Sequence, residues 1–145
     1  MSIRKAKAVW KGDLKQGRGK LSTESALLIA DYSFGSRFEQ GPGTNPEELL
    51  GAAHAGCFSM ALAHEMSQAG HTPESVQTEA QVHLEKVRNG YVITRILLKT
   101  VVYATGIQEA DFSELAESAK TGCPVSRALR IPVELEAELK VNATS

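Results

Sequence analysis

The spacing of apolar and polar residues changes several times along the chain, and each change predicts an element. Residues 3–11 alternate loosely around Val9 and Trp10, which predicts a strand closed by a turn at Gly12-Asp13. Residues 18–24 predict a second strand and residues 26–30 a short third one. Residues 31–45 carry three glycines and a proline and predict a loop. Its end is a helix start: Asn45 suits the N-cap, Pro46 the first helical position, and Glu47 and Glu48 the positive end of the dipole. The helix is expected from Pro46 to about Ala69, with Gly70 ending it.

Apolar residues in this helix do not keep to one side. Leu49, Leu50, Ala53, Cys57, Phe58, Met60, Leu62 and Met66 surround it, so it is expected to be buried on nearly all sides. A membrane span is the rival reading, opposed by His54, Ser59, His64, Glu65 and the acidic start. The run Gly51-Ala52-Ala53-His54-Ala55-Gly56 is made largely of small residues that let another backbone approach. Residues 75–87 and 91–103 read as strands around Asn89-Gly90, a strong hairpin signal. Residues 111–121 predict a helix, broken by Gly122-Cys123-Pro124, with a shorter helix through Leu129. Residues 133–139 alternate cleanly and predict a last strand facing water on one side. This order of elements is α+β. One sheet covers one side of a helix, so a second copy of the chain is the expected cover for the rest.

Composition narrows the function classes. The 145 residues allow a single domain, 1–145, with a core of its own. Sixteen Lys and Arg against 17 Asp and Glu give a net charge of -1, which supplies no field for collecting nucleic acid. The start Met1-Ser2-Ile3-Arg4-Lys5 lacks an apolar targeting segment, so a cytoplasmic location is expected. Two cysteines are too few for a disulfide scaffold.

Those cysteines are the main candidates for chemistry. On local electrostatics alone Cys123, at a helix start, is the better thiolate. Cys57 has only small or apolar neighbours in sequence, so any cation beside it must come from elsewhere. An unreactive core cysteine is the plainer reading of Cys57. His54-x-x-Cys57 has a metal-like spacing, but no second such pair accompanies Cys123, and zinc is disfavoured. Gly41-Pro42-Gly43 lacks the ending of a phosphate loop, and no nucleophile-elbow pattern occurs.

Taken together, the motifs resemble a known family. Arg37-Phe38-Glu39, then Gly43-Thr44-Asn45-Pro46-Glu47-Glu48-Leu49-Leu50-Gly51-Ala52-Ala53-His54-Ala55-Gly56-Cys57-Phe58-Ser59-Met60-Ala61, is similar to the OsmC/Ohr family of osmotically inducible protein C and organic hydroperoxide resistance proteins. Gly122-Cys123-Pro124-Val125-Ser126 matches that family's second cysteine motif. Trp10-Lys11-Gly12-Asp13 and Ser22-Thr23-Glu24-Ser25 favour the OsmC branch, and the resemblance runs along essentially the whole chain.

The resemblance implies an OsmC-like intertwined dimer, with antiparallel-rich sheets around long buried central helices. It implies a thiol peroxidase that needs no metal, haem or flavin cofactor, acts on organic hydroperoxides and is regenerated by an external dithiol. Cys57 would be the peroxidatic cysteine, Cys123 the resolving one, Arg37 the activating arginine and Glu47 its paired carboxylate. Arg18 is a weaker candidate for the arginine. In this chemistry the thiolate attacks the distal peroxide oxygen, the alcohol leaves, and the sulfenic acid condenses with the second thiol. The competing reading is a non-catalytic dimeric stress or ligand-binding protein with buried thiols.

Helix geometry adds one expectation. Ten residues at 1.5 Å each put Glu47 about 15 Å along the axis from Cys57, so Glu47 cannot meet the sulfur of its own straight helix. Two antiparallel copies of the helix would bring Arg37 and Glu47 of one subunit towards Cys57 of its partner.

Overall fold

The computed structural model describes residues 1–141. It divides into two compact units, Met1–Leu49 and Leu50 onwards, the boundary falling one turn into the long helix.

The first unit is an antiparallel sheet of β1 (Ala6–Lys11), β2 (Arg18–Thr23) and β3 (Ile29–Tyr32), in that order, followed by a short helix α1 (Phe34–Phe38). The turn after β1 is held by its own backbone: Gly17 N–H donates to the Asp13 carbonyl at 3.0 Å, and Trp10 Nε1–H donates to the Gly12 and Asp13 carbonyls. Gly19 sits where the Trp10 and Tyr32 rings close over the sheet, their centroids 5.3 Å apart. A Cβ at Gly19 would stand 2.3 Å from the Tyr32 ring.

Two local features differ from the sequence reading. The third strand starts at Ile29 rather than Ala26, because Ala26 takes a left-handed conformation (φ 61°) in a turn closed by Thr23 N–H to the Leu28 carbonyl. The expected loop at 31–45 contains α1. Its signal is Ser33-x-x-Ser36, a capping box in which each side chain accepts from the other's backbone N–H, at 3.1 and 2.8 Å. Serine is a weaker partner at the fourth position than Glu or Gln, and the surrounding glycines obscured it.

The long helix α2 (Pro46–Gln68) begins as expected, with Asn45 Oδ1 accepting from Glu48 N–H at 2.7 Å. It ends at a left-handed Gly70 (φ 89°), where His71 N–H returns to the Met66 carbonyl at 2.8 Å.

The second unit continues with β4 (Ser75–Val87), β5 (Gly90–Tyr103), α3 (Glu109–Gly122), α4 (Pro124–Ala128) and β6 (Val133–Lys140). β4 and β5 form the predicted hairpin. Gly90 already pairs with Val87, so the two-residue loop is Arg88-Asn89. β6 joins β5 in parallel, and the connection through α3 and α4 is what such a pairing requires. Val133, Leu135 and Leu139 of β6 point inward while Glu134, Glu136 and Glu138 are exposed, as the alternation predicts.

The core of this unit is Phe58, Leu62 and Met66 of α2 against Ile96, Leu98 and Val102 of β5 and Phe112, Ala116 and Ala119 of α3. His54, Phe58, Leu62 and Met66 recur every fourth residue and are fully buried. Other positions of α2 are open among the described residues: Ala52, Ala53 and Gly56 are exposed and Met60 is 76% exposed. The expected burial on nearly all sides is therefore not seen among the described residues. Among the described residues no helix is long and apolar enough to cross a membrane.

Candidate functional site

The sequence candidates fall into two clusters, one in each unit. In the first, the last turn of α1 carries Arg37 and the first turn of α2 carries Glu47. Arg37 Nε donates to both oxygens of Glu47, at 3.0 and 3.2 Å, and Nη2 donates to Oε1 at 2.6 Å. The carboxylate is the better buried partner, its side chain 9% exposed against 35% for the arginine. Two anchored nitrogens fix the plane of a guanidinium, which a single contact cannot do. Arg37 also lies over the Phe38 ring, 5.0 Å from its centroid. Its Nη1 is uncommitted among the described residues. Glu47 thus serves the helix dipole and holds the arginine at once. Arg18, the weaker candidate, is an exposed residue of β2 opposite Lys11, outside this pair.

The second cluster joins α2 to the segment where α3 gives way to α4. Both cysteines are free thiols; Cys57 is half-buried and Cys123 fully buried. They lie near enough to shift each other's acidity although 66 positions separate them in the chain. Burial pushes the Cys57 thiol above its ordinary value, and the contact with Cys123 adds to this. Burial acts in the same sense on Cys123 but is outweighed. The Ser126 backbone N–H, the Cys57 thiol, the Ser126 hydroxyl and the Val125 backbone N–H together bring Cys123 below its ordinary value. These donors exist because Pro124 starts α4 immediately after Cys123, and Arg127 N–H closes its first turn on the Cys123 carbonyl at 3.0 Å.

The ranking read from local sequence, Cys123 as the readier thiolate, therefore holds within this unit. It runs against the order of attack that the family resemblance implies. Access points the other way from acidity, since Cys57 is the thiol with exposed surface.

Two further residues complete the cluster. His54 is fully buried, and its Nε2 lies 2.7 Å from Ser126 Oγ. Burial lowers the His54 pKa, favouring the neutral ring, and Nδ1 has no hydrogen-bond partner among the described residues. Sequence reasoning weighed His54 only as a metal ligand and did not single out Ser126. The available signal was the repeated spacing of three, His54 to Cys57 and Cys123 to Ser126. Among the described residues no three His, Cys, Asp or Glu side chains gather as a metal site would require.

Comparison with known proteins gives a consistent result. Residues 39–138 match the family described as OsmC-like protein. The chain is 49% identical over 138 residues to peroxiredoxin OsmC of Escherichia coli, covering 94% of this chain and 96% of that protein. It is 31% identical over 125 residues to the organic hydroperoxide resistance protein OhrB of Bacillus subtilis, covering 84% and 89%. The crystal structure of that OhrB superposes with a TM-score of 0.67 at 29% identity, over 94% of this chain and 98% of the other.

Proposed function

The chain belongs to the OsmC-like protein family, and on that footing we propose that it reduces organic hydroperoxides to alcohols through its two cysteines. The observation that carries this reading is the mutual influence of Cys57 and Cys123, since trapping a sulfenic acid on one thiol requires a second thiol nearby. The names of the relatives, a peroxiredoxin and an organic hydroperoxide resistance protein, support the same class of reaction.

Cys57 has the surface through which a peroxide can arrive, and apolar and small neighbours suit an alkyl substituent. Its thiolate attacks the distal oxygen of R–O–O–H; the O–O bond breaks, the alkoxide takes a proton and leaves as alcohol, and Cys57 is left as sulfenic acid. The Cys123 thiolate then attacks the Cys57 sulfur. The S–S bond forms, the S–O bond breaks, and hydroxide leaves as water after taking a proton. An external dithiol supplies two electrons to restore both thiols.

Cys57 needs a cation beside it to form thiolate readily, since burial raises its pKa. The Arg37–Glu47 pair is suited to that role: its guanidinium is fixed in plane and Nη1 is uncommitted. We assign this pair to the site containing Cys57 of a partner subunit. The helix-rise argument supports this, as do the exposed positions of α2, where the small Ala53 and Gly56 would admit a second α2 and Met60 offers apolar surface.

Thiol titration before and after an equimolar dose of tert-butyl hydroperoxide tests the reaction. Loss of both thiols per subunit, reversed by dithiothreitol, is expected; two unreacted thiols would favour the ligand-binding alternative. Light scattering at micromolar protein tests the assembly, and a mass equal to the 15.6 kDa chain would remove the shared-site reading.

A further inference from the structure

One buried ionisable group of the thiol cluster has no part in the scheme above. His54 precedes Cys57 by three residues on α2, and Ser126 follows Cys123 by three at α4, so the two pairs face each other, thiol to thiol and imidazole to hydroxyl. Building on the peroxidase reading, we infer that His54 is a positioning residue for Cys123: it donates Nε2–H to the Ser126 oxygen and so commits the single Ser126 hydroxyl proton to the Cys123 sulfur.

A serine hydroxyl has one proton to give. Within a helix it commonly turns back to a carbonyl three or four residues earlier. For Ser126 the nearer of these is the Cys123 carbonyl, which accepts from Arg127 N–H at 3.0 Å and keeps a second lone pair. The other claimants on the proton are the imidazole and the sulfur, and the tautomer of His54 decides between those two. Were Nε2 the acceptor, the proton would face the ring and Nδ1–H would be a buried donor with no partner among the described residues. With the proton on Nε2, the ring donates to Ser126, and the unfilled position at Nδ1 is an acceptor. Orphaned buried donors are the rarer defect in folded proteins, so the second arrangement is favoured. It agrees with the sense in which Ser126 acts on Cys123, as a donor that stabilises thiolate.

His54 is not consumed and stores no proton. A neutral ring suffices, as burial dictates. Its effect falls on disulfide closure, the step in which Cys123 is the nucleophile.

The test uses the full-length protein. In a Cys57→Ser background, where the serine hydroxyl still sits beside Cys123, the ultraviolet thiolate band reports Cys123 alone. His54→Leu is expected to move that titration to higher pH, and His54→Gln, whose amide N–H can still donate, to move it back towards the parent. With both cysteines present, His54→Leu is expected to slow disulfide closure about tenfold relative to oxidation of the first thiol. An unchanged Cys123 titration in His54→Leu, or a His54→Gln indistinguishable from it, would overturn the inference. Should His54→Leu not fold, Ser126→Ala replaces it with the same expected direction, and an unshifted titration there overturns the inference equally. If the parent thiols survive hydroperoxide, the peroxidase reading fails, while the Cys123 titration still decides the role of His54.

Discussion

The ion pair of the first unit and the thiol pair of the second are built on opposite terms. Arg37 and Glu47 carry full charges, and three short hydrogen bonds hold them while the arginine keeps contact with solvent. Cys57 and Cys123 are uncharged as thiols, one half-buried and the other fully buried, and among the described residues no ion is a source of their shifts. A charge next to water needs only orientation, and a bidentate carboxylate provides it. A buried thiol needs its anion stabilised, and a few N–H and O–H donors decide which sulfur gains. The contrast explains why acidity and access favour different cysteines here. It also explains why the proposed reaction needs both regions.

The largest test of this division is to remove each thiol in turn. Cys57→Ser is expected to abolish hydroperoxide reduction. Cys123→Ser is expected to consume a single peroxide per subunit and then accumulate sulfenic or more oxidised Cys57, seen by mass spectrometry of the intact protein. If instead Cys123→Ser blocks the first reaction and Cys57→Ser does not, the acidity ranking of the isolated unit governs attack and the assigned order is reversed.

A somewhat smaller effect is expected from the ion pair. Arg37→Ala removes the proposed donor to the peroxide and should lower kcat/KM by about 10²-fold. Glu47→Gln keeps one oxygen but loses the charge that fixes the guanidinium, and about a tenfold loss is expected. Mixing Cys57→Ser with Arg37→Ala protein sharpens the point. After subunit exchange each heterodimer would hold one intact site if the arginine acts across subunits. Silent heterodimers, verified by mass, would assign Arg37 to its own chain.

Much of this molecule was legible because local signals and global fold agree. Asn45-Pro46-Glu47-Glu48 states a helix start, and Gly70 a stop, in terms of unsatisfied backbone groups that must be capped wherever the helix lies. The alternation of residues 133–139 likewise needs no partner to be read. What escaped depended on contacts between segments. The parallel pairing of β6 with β5 cannot be seen in either strand alone. α1 rests on a serine-only capping box, whose Ser36 hydroxyl also donates to the distant Thr44 carbonyl at 2.7 Å. In the site, Cys57 and Cys123 are conspicuous by type. Ser126 is not, because its chemistry exists only once His54 stands opposite.

The first unit offers a stability test that leaves the thiols untouched. Gly19 is buried between Trp10 and Tyr32, and its missing Cβ is what lets the rings meet. Gly19→Ala should force one ring aside and destabilise the fold by about 1–3 kcal/mol, read from urea unfolding. The titration of Cys123 should not move. A Gly19→Ala protein with parental stability would mean that the sheet absorbs the methyl group, and that the ring contact contributes little to this unit.

The smallest effect concerns pH. Burial lowers the His54 pKa below its ordinary value of 6.5, so the folded chain binds this proton less readily than the unfolded chain. Stability must then rise with pH across the interval between the two values. The contribution of a neutral His54 is complete above about 6.5 and is lost as pH falls towards the folded-state value. The hydrogen-bond partner of this ring is the uncharged Ser126 hydroxyl, at Nε2. The measurement is a difference between parent and variant, so that contributions common to both cancel. Urea midpoints of the parent and of His54→Gln, taken at mildly alkaline and mildly acidic pH, should separate most at the alkaline end and converge on acidification. Parallel curves would show that the imidazole is not held neutral in the folded chain, and would remove the reason for confining its proton to one nitrogen.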